Sequence, residues 1–186
     1  EQGRLTVITD LDLDLQEQAQ AIVPEEIAKV EKQHITNGAA VVINPETGEI
    51  LSMVGSKNFL ATDYDGQVNV TTSLRQPGSS FKPFTYVTAF KKGYSPATLL
   101  MDVPTTFPGG IGQPDYVPVN YDAKFVGPIQ VRYALANSRN LPAVKMLAMI
   151  GIKDVLETAT DMGLTTLPPT AETLKRVGLS LTLGGG

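Results

Sequence analysis

The stretch RQPGSSFKPF, residues 75–84, decides how the centre of this sequence folds. A proline and a glycine precede the two serines and favour a turn, and the apolar pattern after them ends in KKG at residues 91–93, which is typical of a helix end. Pro83 has no N–H group, so the helix cannot begin much before Ser79. The sequence therefore predicts a helix that starts at this serine.

Lys82 makes the serine at this helix start a candidate for chemistry. Residues three apart share a helix face, so the Ser79 hydroxyl and the Lys82 amine can touch. A buried lysine can have its pKa lowered enough to take the serine proton, and the free N–H groups of the helix start would stabilise an oxyanion. The alternative is a serine that only caps the helix, because S-x-x-K is expected by chance on the order of once in a chain of this length.

A second serine motif, NSRN, adds weight to the first. It places Ser138 and Asn140 between two predicted helices, farther along the chain. Both motifs together are less expected by accident than the first alone. We therefore treat Ser79, Lys82, Ser138 and Asn140 as one candidate site.

Composition excludes several kinds of function. The 186 residues include no cysteine and one histidine, His34, whose polar surroundings predict an exposed position, so we expect no metal site, no disulfide and no cofactor. Asp10, Asp12 and Asp14 favour a solvated strand end over a cation site. The acidic and basic residues are interspersed, and the net charge of −4 argues against nucleic-acid binding. The sequence shows no signal-peptide pattern and no apolar run near the roughly 20 residues of a membrane helix.

The segment before the site predicts a strand followed by a helix. Alternation in LTVITD, residues 5–10, is typical of a half-buried strand, and Asp12 or Asp14 can then cap a helix. We expect this helix to run to about residue 33, with a kink or a break at Pro24.

A hairpin comes next. AAVVI (39–43) and EILSMV (49–54) flank NPETG, a turn sequence, and predict two antiparallel strands. Because AAVVI is apolar on both faces, we expect the hairpin to be central in a sheet with helices on both sides.

After the helix that starts at Ser79, the sequence predicts a long loop and a helical region. Residues 93–128 are rich in proline and glycine and predict an ordered excursion over the surface. Three short helices should follow, separated by Asn140, Pro142 and Gly151. The length of the chain fits one domain with a real core.

Three segments resemble a known family. RQPGSSFKPF, ALANSRNLPAVKM and VINPETGEILSMVGS are similar to segments of the penicillin-binding transpeptidases, of the bifunctional class A rather than the monofunctional class B type. The resemblance implies an α+β fold like that of the β-lactamases, an antiparallel sheet flanked by helices plus an all-helical lobe. On this basis residues 1–36 would be a leading strand and helix, 37–78 the hairpin and the approach to the site, and 79–186 the nucleophile helix and helical lobe.

The same resemblance assigns roles to the four candidate residues. Ser79 would be the acylated nucleophile and Lys82 its proton acceptor, while Ser138 would relay a proton and Asn140 would hold Lys82 and a substrate carbonyl. The partners implied are peptidoglycan stem peptides ending in D-alanyl-D-alanine, which would be cross-linked, and β-lactam antibiotics, which would acylate the serine. The parent protein would be anchored in the membrane and act outside the cytoplasm.

One family motif is missing. No lysine or histidine is followed by Ser or Thr and then glycine. The resemblance implies that the strand with this motif would supply the second oxyanion donor and the second cation. We therefore expect an N-terminal portion of a transpeptidase domain that cannot turn over alone. Either the chain is a fragment, or the C-terminal remainder is a separate polypeptide that completes the sheet.

Two other functions stay open at the sequence level. A β-lactam sensor would use the same serine to be acylated once and signal, without turnover of peptide. A structural module with a chance S-x-x-K is the third alternative.

Overall fold

The fold combines helices with antiparallel hairpins, which confirms the α+β class. The chain divides into two units, Glu1–Arg75 and Gln76–Gly186, whereas its length had predicted one domain. No helix among the described residues is both long and apolar enough to span a bilayer. The computed structural model describes residues 5–64, 66–109, 112 and 114–185.

One long helix organises the first unit. Helix α1 spans Leu13–Lys29, and the Asp12 side chain caps it as predicted, accepting a hydrogen bond of 3.0 Å from the N–H three residues on. The helix continues through Pro24, so the predicted break there is wrong. Ala19 and Val23 are buried on the inner face of the helix. Packing of this apolar face outweighs the one backbone hydrogen bond that the proline removes.

The predicted leading strand does not form. Leu5, Val7 and Ile8 are exposed, and no strand is assigned over the described residues before α1. One backbone hydrogen bond of 2.9 Å, from the N–H of Asp12 to the carbonyl of Leu51, joins the end of this segment to the rest of the unit. Alternation alone does not make a strand, because a strand needs a partner along its length.

The predicted hairpin is present. Strands β1 (Ala40–Ile43) and β2 (Ile50–Val54) pair antiparallel, with Gly48 at φ +80° in the turn. Helix α1 packs against the hairpin around Val54. The expectation of helices on both sides is wrong for the described part of this unit, in which α1 is the one helix on the hairpin and Ile43 is exposed. Apolar residues on both faces of a strand do not specify which element covers the second face.

Helix α4 is the centre of the second unit. Most of its residues are apolar and buried, as expected for a helix packed by other elements, and α2, α5 and a C-terminal 3₁₀ turn pack around it. The elements of this unit, in chain order, are a 3₁₀ turn at Gly78–Phe81, α2 (Lys82–Lys91), β3 (Leu99–Asp102), β4 (Gly127–Gln130), α3 (Val131–Ala136), α4 (Asn140–Ile150), α5 (Ile152–Asp161), α6 (Ala171–Arg176) and a 3₁₀ turn at Leu179–Leu183.

The predicted helical region is confirmed, but its boundaries differ. Gly151 separates α4 from α5 as predicted, with φ +92°. Asn140 and Pro142 are wrong as separators, because they lie in the first turn of α4. A proline fits there, since the first N–H groups of a helix have no intrahelical partner to lose.

The proline-rich loop contains a hairpin that the sequence did not indicate. Strand β3 pairs antiparallel with β4, with Leu99 opposite Gln130 and Asp102 opposite Gly127. Each strand has only four residues, too few for alternation to stand out from the surrounding loop. The hairpin places the carboxylate of Asp102 inside the second unit, where it is fully buried.

Candidate functional site

Lys82 is the buried centre of the site. It is the first residue of α2, and only 1% of its surface is exposed. Its amine donates three hydrogen bonds, to the carbonyl oxygen of Ser138 at 2.6 Å, to the hydroxyl of Ser138 at 3.0 Å and to Oδ1 of Asn140 at 2.8 Å. These partners engage all three protons of an ammonium group. Burial lowers the pKa of Lys82 from 10.5 to about 8.

Ser138 presents two oxygens to this amine because of its backbone conformation. Its φ of +49° lies in the left-handed region, which is uncommon outside glycine. The turn is held by hydrogen bonds of 2.9 Å from the N–H of Ser138 to the carbonyl of Leu135 and from the N–H of Arg139 to the carbonyl of Ala134. These bonds end α3 and direct the carbonyl and hydroxyl of Ser138 toward Lys82.

Ser79 lies in the 3₁₀ turn directly before α2, close to the predicted helix start. Its side chain is exposed, and its hydroxyl makes no hydrogen bond among the residues that the structure describes. The structure thus shows no hydrogen bond between the Ser79 hydroxyl and the Lys82 amine, which donates to three other oxygens. The neighbouring Ser80 is engaged differently, since its hydroxyl donates to the carbonyl of Pro77 at 2.5 Å.

Asn140 is held at two points by one loop. Its backbone N–H donates to Oδ1 of Asn120 at 2.8 Å, and its side-chain NH₂ donates to the carbonyl of Val119 at 2.8 Å. The carboxamide oxygen of Asn140 is therefore the atom that faces Lys82.

A buried polar cluster supports the turn that carries Ser138. We define the Asp102 cluster as Asp102, Asn120 and Arg139, all at most 9% exposed. The guanidinium of Arg139 donates to Oδ2 of Asp102 at 2.9 Å, to Asp122 at 2.9 Å and to the carbonyl of Lys124 at 2.5 Å. Its Nη2 also forms an ion pair of 2.8 Å with the same oxygen of Asp102. Burial alone would lower the pKa of Arg139, but the hydrogen bonds to the two carboxylates outweigh it and raise that pKa.

Sequence reasoning missed Asp102 and Asn120. Asp102 ends a short apolar strand, and Asn120 lies in a proline-rich loop, so neither belongs to a periodic pattern or to a recognised motif. An acidic residue directly after the apolar run LLM was the one available signal.

A recess lies beside Ser138. It has a volume of about 210 Å³, and the fully exposed ring of Tyr121 forms part of its wall. The ring of Phe107 packs instead on that of Tyr116, with centroids 6.4 Å apart. Within the described residues no group of three or more His, Cys, Asp or Glu side chains could hold a metal ion. The recess is lined by Asn120, Tyr121, Asp122, Asn137, Ser138 and Arg139.

Comparison with known proteins agrees with this geometry. The model of the penicillin binding protein transpeptidase domain matches residues 38–181. Penicillin-binding protein 1A of Rickettsia bellii is 39% identical over 132 residues, which cover 71% of this chain and 16% of that protein. The chain thus spans about a sixth of the length of this relative.

Solved structures show the same fold. The crystal structure of penicillin-binding protein 1A from Haemophilus influenzae matches with a TM-score of 0.68 and 29% identity, over 81% of this chain and 21% of that one. Penicillin-binding protein PonA1 from Mycobacterium tuberculosis matches with a TM-score of 0.76 and 22% identity, over 97% of this chain and 45% of that one. The predicted transpeptidase-like fold is confirmed by these likenesses.

Proposed function

The chain belongs to the penicillin-binding protein transpeptidase family, and from this premise we propose that it carries the serine acylation site of a peptidoglycan D,D-transpeptidase. The substrate is a stem peptide ending in D-alanyl-D-alanine, and a second stem peptide supplies the amine that forms the cross-link. A β-lactam acylates the same serine and is released slowly.

One observation carries this proposal. A buried lysine at the start of α2 donates to three oxygens of the Ser138–Asn140 turn, and it lies one turn after the exposed hydroxyl of Ser79. Burial brings the pKa of Lys82 to about 8, so a useful fraction of the amine is neutral near physiological pH. A neutral amine can accept the proton of a serine, whereas an ordinary lysine cannot.

In the first chemical step, the Ser79 oxygen bonds to the carbonyl carbon of the terminal peptide bond, and its proton moves to neutral Lys82. The bond from that carbon to the nitrogen of D-alanine then breaks. Lys82 returns the proton to this nitrogen through the Ser138 hydroxyl, which is 3.0 Å from the amine. D-Alanine leaves, and an ester on Ser79 remains.

In the second step, the amine of another stem peptide attacks the ester carbon. The amine loses a proton to Lys82, a new peptide bond forms as the bond from the carbon to the Ser79 oxygen breaks, and that oxygen takes the proton back from Lys82. The backbone N–H of Ser79 is one donor to the oxyanion in both steps. Since the sequence has no Lys/His-Ser/Thr-Gly motif, we expect the second donor to come from elsewhere in the complete domain, and the tests use the full-length protein.

The test is to treat the full-length protein with labelled penicillin and to map the adduct by peptide mass spectrometry. We expect the label on Ser79 and its complete loss in Ser79→Ala. Ser80→Ala is the matched control and should label as the unchanged protein does, since its hydroxyl is engaged with Pro77. A label on another residue would exclude this assignment.

Release of D-alanine from a stem peptide separates an enzyme from a sensor. Steady release by the full-length protein without penicillin supports the transpeptidase, whereas a stable penicillin adduct in a protein that does not turn over peptide supports the sensor. We also propose that the protein acts outside the cytoplasm. Labelling of intact cells by a penicillin that cannot cross the cytoplasmic membrane tests this placement.

A further inference from the structure

Asn120 uses every hydrogen-bonding position of its side chain. Its oxygen accepts from the backbone N–H of Asn140 at 2.8 Å and from that of Leu141 at 3.3 Å. Its NH₂ group donates to the carboxylate of Asp102 at 2.7 Å and to the carbonyl of Lys124 at 2.8 Å. The residue is 3% exposed, so each of these bonds satisfies a group that water does not reach.

This side chain caps α4 from a distant part of the chain. Arg139, the residue before the helix, makes no capping hydrogen bond with its own side chain. The first N–H groups of a helix lack intrahelical acceptors, and the oxygen of Asn120 serves the first two of them. The start of α4 is therefore fixed by a loop residue, and Asn140 is the residue at that start.

Asp102 and Arg139, the other two members of the Asp102 cluster, also hold the turn that carries Ser138. The planar fork of Arg139 bonds to Asp102, and Asp102 in turn accepts from Asn120 with its second oxygen. Ser138, in its left-handed conformation, lies between α3 and this anchored arginine. A left-handed conformation is unfavourable for a non-glycine residue and persists only where its surroundings determine it.

We propose that Asn120 is a positioning residue of the acylation site: anchored by Asp102 and assisted by Arg139, its side chain fixes the start of α4 and so holds the Asn140 and Ser138 oxygens on the Lys82 amine. This inference rests on the proposed function, because it assigns Asn120 a task in the acylation of Ser79. Asn120 touches neither the substrate nor the reacting atoms, and it acts through Asn140.

The chemistry of the four contacts requires an asparagine. An aspartate at this position would set a carboxylate against that of Asp102 at 2.7 Å and would remove one of the two donors to the Lys124 carbonyl, leaving the one from Arg139. An alanine would leave the two helix N–H groups and one oxygen of Asp102 without their partner. The alanine frees the start of α4, whereas the aspartate keeps the acceptor but is repelled by Asp102 and so displaces that start. A misplacement of about 1 Å in a catalytic group can cost on the order of a hundredfold in rate.

The experiment compares acylation by a fluorescent penicillin in the full-length protein and its variants. The first-order acylation constant and the half-saturating penicillin concentration are measured separately, per folded molecule as counted by circular dichroism. For Asn120→Ala and Asn120→Asp we expect the first-order constant to fall roughly 10- to 100-fold, and the half-saturating concentration to change less than about threefold. Loss of stability alone would leave both constants unchanged in the folded fraction, and that result would overturn the inference.

Asn137→Ala is the matched control. Asn137 is an exposed amide next to Ser138, and its NH₂ donates only to the carbonyl of Tyr133 in its own helix, at 2.9 Å. We expect its acylation constant to stay within about twofold of the unchanged protein. A loss as large as that of Asn120→Ala would mean that any change in this turn has the same effect, which would also overturn the inference.

A swapped pair tests the contact itself. Asp102→Asn combined with Asn120→Asp restores a donor between the two side chains and keeps an acceptor at the start of α4, so it should regain at least about tenfold over Asn120→Asp. If the single variants do not fold, the swapped pair is compared with the unchanged protein, and a folded pair slower by more than about 100-fold overturns the inference. If the unchanged protein is not labelled on Ser79, the proposed function fails instead, which keeps the two failures distinguishable.

Discussion

At the scale of single residues, the main feature is the buried ammonium group of Lys82. The ammonium of Lys82 gives up its hydration and receives three protein oxygens in exchange, two from Ser138 and one from Asn140. The exchange is incomplete, because burial still lowers the pKa of Lys82 to about 8. The residue is thus protonated in most molecules at neutral pH and can still lose its proton at small cost.

This pKa predicts the pH dependence of acylation. The neutral amine is the reactive form, so the rate of acylation by penicillin should rise with pH and reach half its plateau near pH 8. Below that pH the rate should fall about tenfold per pH unit. Lys82→Ala should lower the plateau by roughly 10²- to 10⁴-fold, as loss of a general base does. The measurement is the acylation rate constant from pH 6 to pH 9.5.

The control for this profile is Lys91→Ala. Lys91 lies in the last turn of the same helix, half exposed, and should leave both the plateau and the midpoint unchanged. A rate that does not vary over this pH range in the unchanged protein would mean that Lys82 is not the base.

The four candidate residues could be predicted from the sequence because the two residues of each pair lie close together along the chain. Ser79 with Lys82 and Ser138 with Asn140 lie two or three positions apart, so their spacing is visible without a fold. Asn120 and Asp102 were not accessible, since they meet Asn140 and Arg139 across long stretches of chain through buried polar contacts. Such contacts leave no period in the sequence, and only the folded chain reveals them.

At the scale of elements, the junction between α4 and α5 depends on one glycine. Gly151 has φ +92° and ψ +140°, a combination that residues with a side chain rarely adopt. It connects the central helix of the second unit to the next one, and an added Cβ would meet no atom within 4 Å. The constraint is therefore in the backbone angle rather than in the available space.

Gly151→Ala is expected to lower the free energy of unfolding by about 1–3 kcal/mol. Gly178→Ala is the matched control, because an added Cβ there also meets nothing within 4 Å, while its φ of −119° suits any residue. We expect this control to be neutral or stabilising by up to about 1 kcal/mol. Urea unfolding of both variants checks the prediction, and equal losses in the two would show that φ is not the cause.

Helices were easier to predict than hairpins for a physical reason. Helix α4 has 11 residues, most of them apolar, so its existence could be predicted from composition alone. Strands β3 and β4 have four residues each and depend on one another across the proline-rich loop. The LTVITD segment was predicted as a strand and does not form one, because no strand among the described residues pairs with it.

At the scale of the whole molecule, the chain consists of two units, and the link between them is open to proteases. Residues 74–77 have no regular secondary structure, and the side chains of Leu74 and Arg75 are exposed. The boundary between the units falls at the bond between Arg75 and Gln76. Exposed, irregular links of this kind are preferred sites of proteolytic cleavage.

Limited trypsin digestion should therefore cut early after Arg75. Mass spectrometry of the first fragments should show one species that ends at Arg75 and another that begins at Gln76, and Arg75→Gln should remove both. A first cut at Lys124, the one lysine of the 93–128 segment, with Arg75 intact, would mean that this loop is the more open part of the chain.

The bonds from Lys82 to Ser138 and Asn140 span 56 and 58 positions of the sequence. Closing a loop of that length costs entropy before any contact repays it, so we expect the proposed acylation site to form late in folding. A chain that is still emerging from the ribosome contains Ser79 and Lys82 before it contains Ser138 and Asn140, which supply the three acceptors of the Lys82 amine. Covalent labelling by penicillin would then count mature molecules, which makes the antibiotic itself a reporter of how much of a newly made population has reached its native state.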